Sequence, residues 1–384
     1  MSEDLPPSDR QSHLALRLSR RKSAVGRAPI VRHSLRAARR LTAPYATMAR
    51  IAAAQLGRSR LARAGALVLA MLAAIAVAAN LLASDLPIAC RWQGKVYLLP
   101  NVTRPATLAH IDCLRIERGR ARGDWVVEPL VPFGPAAPDD TAVLTPPMAS
   151  RHPLGTDALG RDLFARIVYG ARTALRLGML GSLVMIVLGT TLGAASGYLG
   201  GIVDSLVSRA VESLTAIPTL LVVLVVGGLV AHSTTTTLLW TIALTRWTEL
   251  ARLVRAEVMV TLGNDYVTAA RALGVSPWRI LLRHVLPNAI GPAIVAATFG
   301  VAAIVLTEAA VDFLGVGPPD TTASWGETLA EARSHPGAWW LVAFPGAALL
   351  ATLIALNLVG EAARDALDPK LRGVSDEVTE GMRS

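Results

Sequence analysis

Long apolar runs dominate the pattern of hydrophobic and polar positions along this chain. A run of about 20 apolar residues is long enough to cross the hydrocarbon core of a bilayer as a helix. We predict six such spans: Ala64–Leu82, Leu177–Leu199, Leu214–Ala231, Thr235–Leu250, Pro287–Leu314 and Trp339–Val359. The pattern therefore predicts an all-α polytopic membrane protein with six transmembrane helices and both chain ends on one side.

The polar stretches divide the chain into regions. We predict a basic arm over 1–60, the first span over 61–83, an insertion over 84–150, a core over 151–372 and a tail over 373–384. In the insertion we expect little regular structure beyond β-like stretches such as Val96–Leu99. Arginines recur between apolar residues over 151–176, which predicts an amphipathic surface helix before the second span.

The distribution of charge suggests an orientation. The net charge is +10, and many arginines precede the first span. Positive charge beside a first span holds that end in the cytoplasm, so we predict both termini inside and the insertion outside. Tyr45 is the single Phe, Trp or Tyr between the arginines of the arm, too few for a base-stacking surface, which favours anionic lipid over nucleic acid. The arginines of 151–176 conflict with this topology, which places them outside.

Two cysteines, Cys90 and Cys113, follow the first span and would lie outside, where disulfides persist. A bridge between them and a pair of unpaired thiols are equally open.

The segment 265–288, between the fourth and fifth predicted spans, combines several helix start and stop signals. Asn264 or Asp265 can cap a short helix, and Gly274 can end it in a left-handed conformation. That helix has a stripe of apolar and small residues: Tyr266, Ala269, Ala270 and Leu273. Ser276-Pro277 then starts a second helix to about Val285, and Leu286-Pro287 turns the chain into the fifth span. The pattern predicts a bent helical pair that offers alanines to a groove on a partner.

This segment resembles the coupling loop of bacterial ABC-importer permeases, whose pattern is Glu-Ala-Ala, three residues, Gly, nine residues, Ile-x-Leu-Pro. The matching residues are Ala269, Ala270, Gly274, Leu286 and Pro287. Thr268 replaces the glutamate and His284 replaces the isoleucine. The ending RHVLPN is similar to the dipeptide/oligopeptide branch, as are the stretches 152–173, 197–218 and 307–329. The resemblance covers about residues 60–372, and the insertion resembles the enlarged external loop of some members.

The resemblance implies a type I ABC importer permease fold in a bacterial inner membrane. It also implies the partners, namely a second homologous permease, two ABC ATPase subunits and an extracytoplasmic binding protein that delivers peptide. The residues it places against the ATPase are Tyr266, Thr268, Ala269, Ala270, Arg271, Gly274, His284, Leu286 and Pro287. Thr268 leaves open any ion pair that the family glutamate makes with the ATPase.

Motifs for chemistry are missing from the sequence. There is no Gly-x-x-x-x-Gly-Lys-Ser/Thr loop, no His-Glu-x-x-His zinc motif and no Gly-x-Ser-x-Gly elbow. We therefore predict no catalytic residue, metal or cofactor in this chain, and we expect ATP and Mg to be bound by the partner ATPases.

Charged residues within the predicted spans are candidates for the transport pathway. Glu308 and Asp312 are four residues apart, on one helix face, and either line the pathway or hydrate at the external interface. We interpret Arg246 as reaching the cytoplasmic interface, with a pathway role as the alternative.

The favoured function is import of di- or oligopeptides. A nickel or peptide-like antibiotic importer of the same branch is one alternative, and a membrane scaffold or sensor without transport is the other.

Overall fold

The computed structural model describes residues 59–108, 113, 116, 124–149, 151–230, 234–317 and 323–367, and shows a mostly helical chain with one small sheet. The predicted arm 1–60, except for its last two residues, and the predicted tail 373–384 lie outside the described residues.

The described helices follow one another along the chain with short connections. They are α1 (Arg60–Leu82), α2 (Pro100–Thr103), α3 (Leu163–Leu199), α4 (Gly201–Thr215), α5 (Thr219–Leu229), α6 (Thr235–Leu262), α7 (Asp265–Ala272), α8 (Pro277–Ile280), α9 (Leu286–Phe313), α10 (Trp325–Ala332) and α11 (Trp340–Leu367). A 3-10 turn covers Ala106–Leu108, and a π-helical turn, Leu281–Val285, joins α8 to α9.

Four helical stretches are long and apolar enough to cross a membrane: α1, α3, the stretch Pro277–Phe313 and α11. The α4–α5 pair makes a fifth if it is counted as one bent span. Length and composition therefore support four or five spans among the described residues. The remaining predicted span corresponds to α6, whose charged residues lower its mean hydropathy.

The predicted third span, Leu214–Ala231, is not one straight helix. It falls across α4 and α5, which meet at an angle of 79°. Pro218 lies at the break and has no N–H to donate, and its ring disfavours helical geometry at the preceding Ile217. The bend therefore follows from a proline that the hydropathy pattern alone does not weigh.

The predicted surface helix over 151–176 is wrong over 151–162, which is not helical, and right only that 163–176 is helical and leads into the second span. Helix α3 starts at Leu163 and continues without a break to Leu199. Asp162 caps it, because its carboxylate accepts a 2.7 Å hydrogen bond from the Ala165 N–H. Upstream, Gly155 and Gly160 have φ values of 85° and 72°, which an α-helix excludes.

Glycines on α3 allow two helices to approach it closely. At the middle of α3, Gly178 and Gly181 face Val305 and Ile304 of α9. Further along, three glycines spaced by four face α6, and they are Gly189 against Leu250, Gly193 against Ala251 and Gly197 against Arg255 and Val258. Residue numbers rise together along α3 and α6, so these two helices are parallel. Small residues at such contacts are typical of packing between membrane helices.

The insertion contains an antiparallel sheet of three strands, in the order β2 (Lys95–Leu98), β1 (Ala89–Trp92), β3 (Trp125–Val127). The predicted β-like stretch near Val96 is confirmed, but the region has more regular structure than we expected. One face of the sheet covers a small core with Leu86, Leu108 and Ile116. Cys90 and Cys113 are both buried, and a disulfide between them stays a prediction.

Candidate functional site

The end of α7 has the geometry that its sequence predicts. Gly274 is left-handed, with φ of 75°. Its N–H donates to the Arg271 carbonyl at 3.0 Å, and the Val275 N–H donates to the Ala270 carbonyl at 3.1 Å. These two bonds form a Schellman motif, which stops a helix and reverses the chain. The predicted left-handed end at Gly274 is confirmed.

The predicted turn at Leu286-Pro287 is wrong. The Leu286 N–H donates to the carbonyl of Leu281, five residues back, so the backbone widens into a π-turn. Pro287 lacks the N–H that an α-helical bond to Arg283 would need, and the wider turn lets the helix pass this position. The stretch from Pro277 to Phe313 is therefore one continuous helical element.

The inner face of the segment 265–288 belongs to the helical core. Val267 and Ala270 of α7 are buried, together with Ile280, Leu281 and Val285 from the stretch before α9. They share one hydrophobic cluster with residues of α6, which are Leu250, Val254 and Val258. Because these residues are buried against long helices, the segment is part of the helical core.

Hydrogen bonds fix both halves of the segment. The hydroxyl of Tyr198, at the end of α3, donates to the Pro277 carbonyl at 2.6 Å. The Asn288 amide donates to the Tyr266 hydroxyl at 3.0 Å and to the His284 carbonyl at 2.7 Å. The segment is thus tied to α3 and to the start of α9.

The outer face is exposed and partly apolar. Of the nine residues predicted to contact an ATPase, Tyr266, Thr268, Ala269, Arg271 and Gly274 are exposed, Ala270 is buried, and His284, Leu286 and Pro287 are half-buried. Leu273 is 83% exposed and Trp278 67% exposed, and neither was among the nine. We call the exposed group the coupling surface: Tyr266, Thr268, Ala269, Arg271, Leu273, Gly274 and Trp278. Exposed large apolar side chains grouped in this way are typical of a surface that binds a protein, a membrane or a ligand.

Glu308 and Asp312 lie together but in the interior of the chain. Both are buried, and the Ser324 hydroxyl donates to Glu308 Oε1 at 3.2 Å. Asp312 Oδ1 has no hydrogen-bond partner among the described residues. The two carboxyl groups face the start of α10, where Gly326 approaches the Ala309 carbonyl. Their predicted pathway role stays a prediction.

A second charged pair, Arg246 and Glu249, lies on α6. Arg246 Nη1 is 3.0 Å from Glu249 Oε1, and Nη2 donates to the Thr307 hydroxyl of α9 at 3.4 Å. Arg246 is roughly 24 Å of helix from the end of α6 at Leu262, and its predicted reach to the cytoplasmic interface stays a prediction. A charge at mid-bilayer costs about 2.5–3.5 kcal/mol on insertion scales, so such groups meet a partner or water. The sequence placed both Arg246 and Glu249 towards the end of the fourth predicted span but suggested no role for Glu249.

Two of the arginines that conflict with the predicted topology, Arg161 and Arg166, have acidic partners. Arg161 Nε is 2.6 Å from Asp157 Oδ2, and the same guanidinium also pairs with Glu327 and Glu331 of α10. Arg166 Nη2 is 2.7 Å from Glu327 Oε2. These acids offset the positive charge of Arg161 and Arg166, so these two arginines carry little weight in the orientation rule.

Comparison with known proteins places this geometry in a family. A family model described as "Binding-protein-dependent transport system inner membrane component" matches residues 189–373, which include the coupling surface. The di/tripeptide transport system permease protein DppC of Pseudomonas aeruginosa is 37% identical over 257 residues, which cover 65% of this chain and 83% of that protein. The dipeptide transport system permease protein DppC of Haemophilus influenzae is 38% identical over 249 residues, covering 63% and 84%.

A third relative carries a different substrate in its name. The probable D,D-dipeptide transport system permease protein DdpC of Escherichia coli is 36% identical over 245 residues, which cover 64% of this chain and 82% of that protein. The chain therefore belongs to the permease subunits of binding-protein-dependent ABC importers, in the dipeptide/oligopeptide branch.

Proposed function

We propose that this chain is one transmembrane subunit of an ATP-driven importer that moves di- or oligopeptides across a bacterial inner membrane. The observation that carries the proposal is the coupling surface, an exposed apolar patch on a segment whose other face is buried against α6. ATPase subunits dock on this patch. Because the segment is continuous with α9 and packed on α6, movement of the ATPases passes to both helices.

The names of the relatives favour peptides over the alternatives. The three relatives described above are permeases of di/tripeptide, dipeptide and D,D-dipeptide systems. A nickel or peptide-like antibiotic importer shares the mechanism and differs only in pathway contacts. A scaffold or sensor without transport needs no segment that links an exposed docking patch to two long helices.

The proposed assembly has the partners typical of this family. A second homologous permease completes the pathway, two ABC ATPases bind ATP and Mg, and an extracytoplasmic binding protein delivers the peptide. The chain crosses the membrane six times with both termini in the cytoplasm, and α6 supplies the span that composition alone does not mark. Glu308 and Asp312 stay candidates for contact with the peptide, although their burial favours a role in holding α9 to α10.

Co-purification tests the docking of the ATPase. We expect Gly274→Trp to abolish recovery of the ATPase subunits with the membrane complex, because the bulky ring would project from the coupling surface and block docking. Gly315→Trp is the matched control. Gly315 also has a left-handed φ, 79°, and also has open space where a side chain would start, but it lies at the far end of α9.

The control separates backbone strain from loss of docking, since both variants strain a left-handed glycine. ATPase recovery with wild type and Gly315→Trp, but not with Gly274→Trp, supports the proposal. If wild type recovers no ATPase while a known importer does under the same conditions, the importer proposal fails and a scaffold or sensor becomes the better account.

A further inference from the structure

The pair on α6 lies deep among the spanning helices. Arg246 contacts Thr307, about six residues or roughly 9 Å of helix before α9 ends at Phe313. Around it, Ile242 packs with Ile304, and Leu250 packs with residues at the start of α9. Arg246 and Glu249 therefore sit well inside the layer that α3 and α9 cross.

At this depth, Glu249 cannot be facing lipid. Its side chain is 57% exposed in the isolated chain, whereas Arg246 is 19% exposed. An exposed carboxylate between spanning helices faces a protein partner or a water-filled cavity. This side of α6 is therefore a lining of the pathway or a contact with the second permease.

The guanidinium of Arg246 has unused capacity. An arginine has five N–H donors in a planar fork. Nη1 is paired with Glu249 and Nη2 makes a long 3.4 Å hydrogen bond to Thr307, whereas Nε is buried and has no hydrogen-bond partner among the described residues. Nη1 and Nη2 each carry a further N–H, and this edge of the guanidinium is suited to a carboxylate.

We propose that Arg246 and Glu249 form a binding site for the charged ends of the peptide as it crosses the membrane. Arg246 takes the C-terminal carboxylate and Glu249 takes an ammonium group. This proposal rests on the proposed peptide import. A small zwitterionic peptide always brings both charges, and a cation and an anion 3.0 Å apart on one helix present both complements.

The unused donors favour substrate over a permanent contact with the second permease. A permanent contact with the second permease would occupy Arg246 and Glu249 in every state of the transporter. Instead, Arg246 is paired with Glu249 of its own helix. A carboxylate that arrives during transport can instead exchange with Glu249 on the guanidinium, which frees Glu249 for the ammonium group.

The test uses the complete importer in proteoliposomes, with both permeases, the ATPases and binding protein saturated with a radiolabelled free dipeptide. We expect Arg246→Gln to lower uptake more than tenfold, and Arg246→Lys to keep an intermediate rate, since lysine retains the charge but not the fork. The double variant Arg246→Glu/Glu249→Arg restores the ion pair in reverse. We expect no rescue by this swap, because the charges then meet the peptide in the wrong places.

Arg176→Gln is the matched control, because Arg176 is also an arginine on a long spanning helix, α3, and is exposed there. We expect its uptake to stay within twofold of wild type.

Rescue by the swap would show that the pair serves only the fold of α6 and would overturn the proposal. Loss of the second permease from Arg246→Gln would assign the pair to the subunit interface, and uptake by Arg246→Gln within twofold of wild type would also overturn it. If wild type itself takes up no dipeptide, the proposed function has failed, and this inference fails with it.

Discussion

His152 is a buried residue whose surroundings control its charge. Its Nδ1 lies 2.7 Å from Asp162 Oδ2 and its Nε2 lies 3.5 Å from Asp139 Oδ2, while its ring lies against Phe133. Burial lowers the pKa of His152, but hydrogen bonds and attraction from Asp162 and Asp139 outweigh it, so the net pKa is raised. Because Asp162 also caps α3, the protonated imidazole connects the loop at Asp139 to the start of that helix.

This arrangement predicts a pH-dependent stability. A raised folded-state pKa gives stabilisation that is fully present below the unfolded value, near 6.5, and is lost as pH rises through the folded pKa. We expect His152→Gln to melt well below wild type at pH 6 and the gap to shrink at pH 7.5 and 9. Thermal unfolding of the purified protein in detergent measures the gap.

The control is Phe133→Leu, which removes the ring contact without removing a titratable group. We expect its deficit in melting temperature to stay nearly constant over the same pH range. A gap for His152→Gln that is constant or widens towards pH 9 would contradict the protonated interaction.

Contacts between elements depend on glycines along α3. A Cβ built at Gly193 would lie 2.5 Å from the Ala251 carbonyl oxygen of α6, which is closer than real side chains come to backbone. We expect Gly193→Ala to destabilise the protein by about 1–3 kcal/mol, because α6 must move away and the buried contact opens. Denaturant unfolding in detergent would measure this loss.

Gly228→Ala provides a matched comparison for the contact. Gly228 also lies in a helix, α5, and has nothing within 4 Å of its Cβ position. Alanine favours helix over glycine by up to about 1 kcal/mol, so this variant should be unchanged or slightly more stable. Equal losses of stability in both variants would mean that the close approach of α6 at Gly193 does not contribute to stability.

Sequence patterns predict those elements whose signals are local. The left-handed end of α7 follows from Gly274 alone, and α1 and α11 follow from long apolar runs. The start of α3 is different, because it depends on the cap at Asp162 and on the left-handed Gly155 and Gly160, whereas the recurring arginines of 151–176 mimic a surface helix. Two of those arginines, Arg161 and Arg166, are buried and paired with acids of α10, more than 150 residues away in sequence, and no local pattern contains that pairing.

The candidate site shows the same division. Matches to the coupling pattern pointed to the right segment, and five of its nine predicted residues are exposed. The pattern could not tell which face would be buried, because that depends on α6, and so it included Ala270 and missed Trp278. Glu308 and Asp312 were expected at a pathway because of their charge, yet their burial depends on how α10 folds back over α9.

At the scale of the whole molecule, the directions of the helices constrain how often the chain crosses the layer. Helix α6 is parallel to α3 through the glycine contacts and antiparallel to α9, since Leu238 and Ile242 pack near Val311 and Ile304 while Leu250 packs near Ala293. Gly197, near the end of α3, lies beside Arg255, in the last third of α6. Between Gly201 and Thr235 the chain must therefore return to the level at which α6 starts, and the bent α4–α5 pair forms this connection.

This geometry predicts six crossings, with α6 among them, and cysteine labelling can test the count. In a variant with Cys90 and Cys113 replaced by serine, single cysteines at exposed positions report the side: Val96→Cys in the sheet, Thr236→Cys at the start of α6 and Thr268→Cys on the coupling surface. We expect a membrane-impermeant maleimide to label Val96→Cys and Thr236→Cys in intact spheroplasts, and Thr268→Cys only after permeabilisation.

Labelling of Val96→Cys shows that the reagent reaches the outer face, and the cysteine-free variant gives the background. If Thr236→Cys and Thr268→Cys react on the same side, α6 does not cross. Arg246 and Glu249 would then lie outside the layer, and the physical reason for placing them in a transport path would be gone.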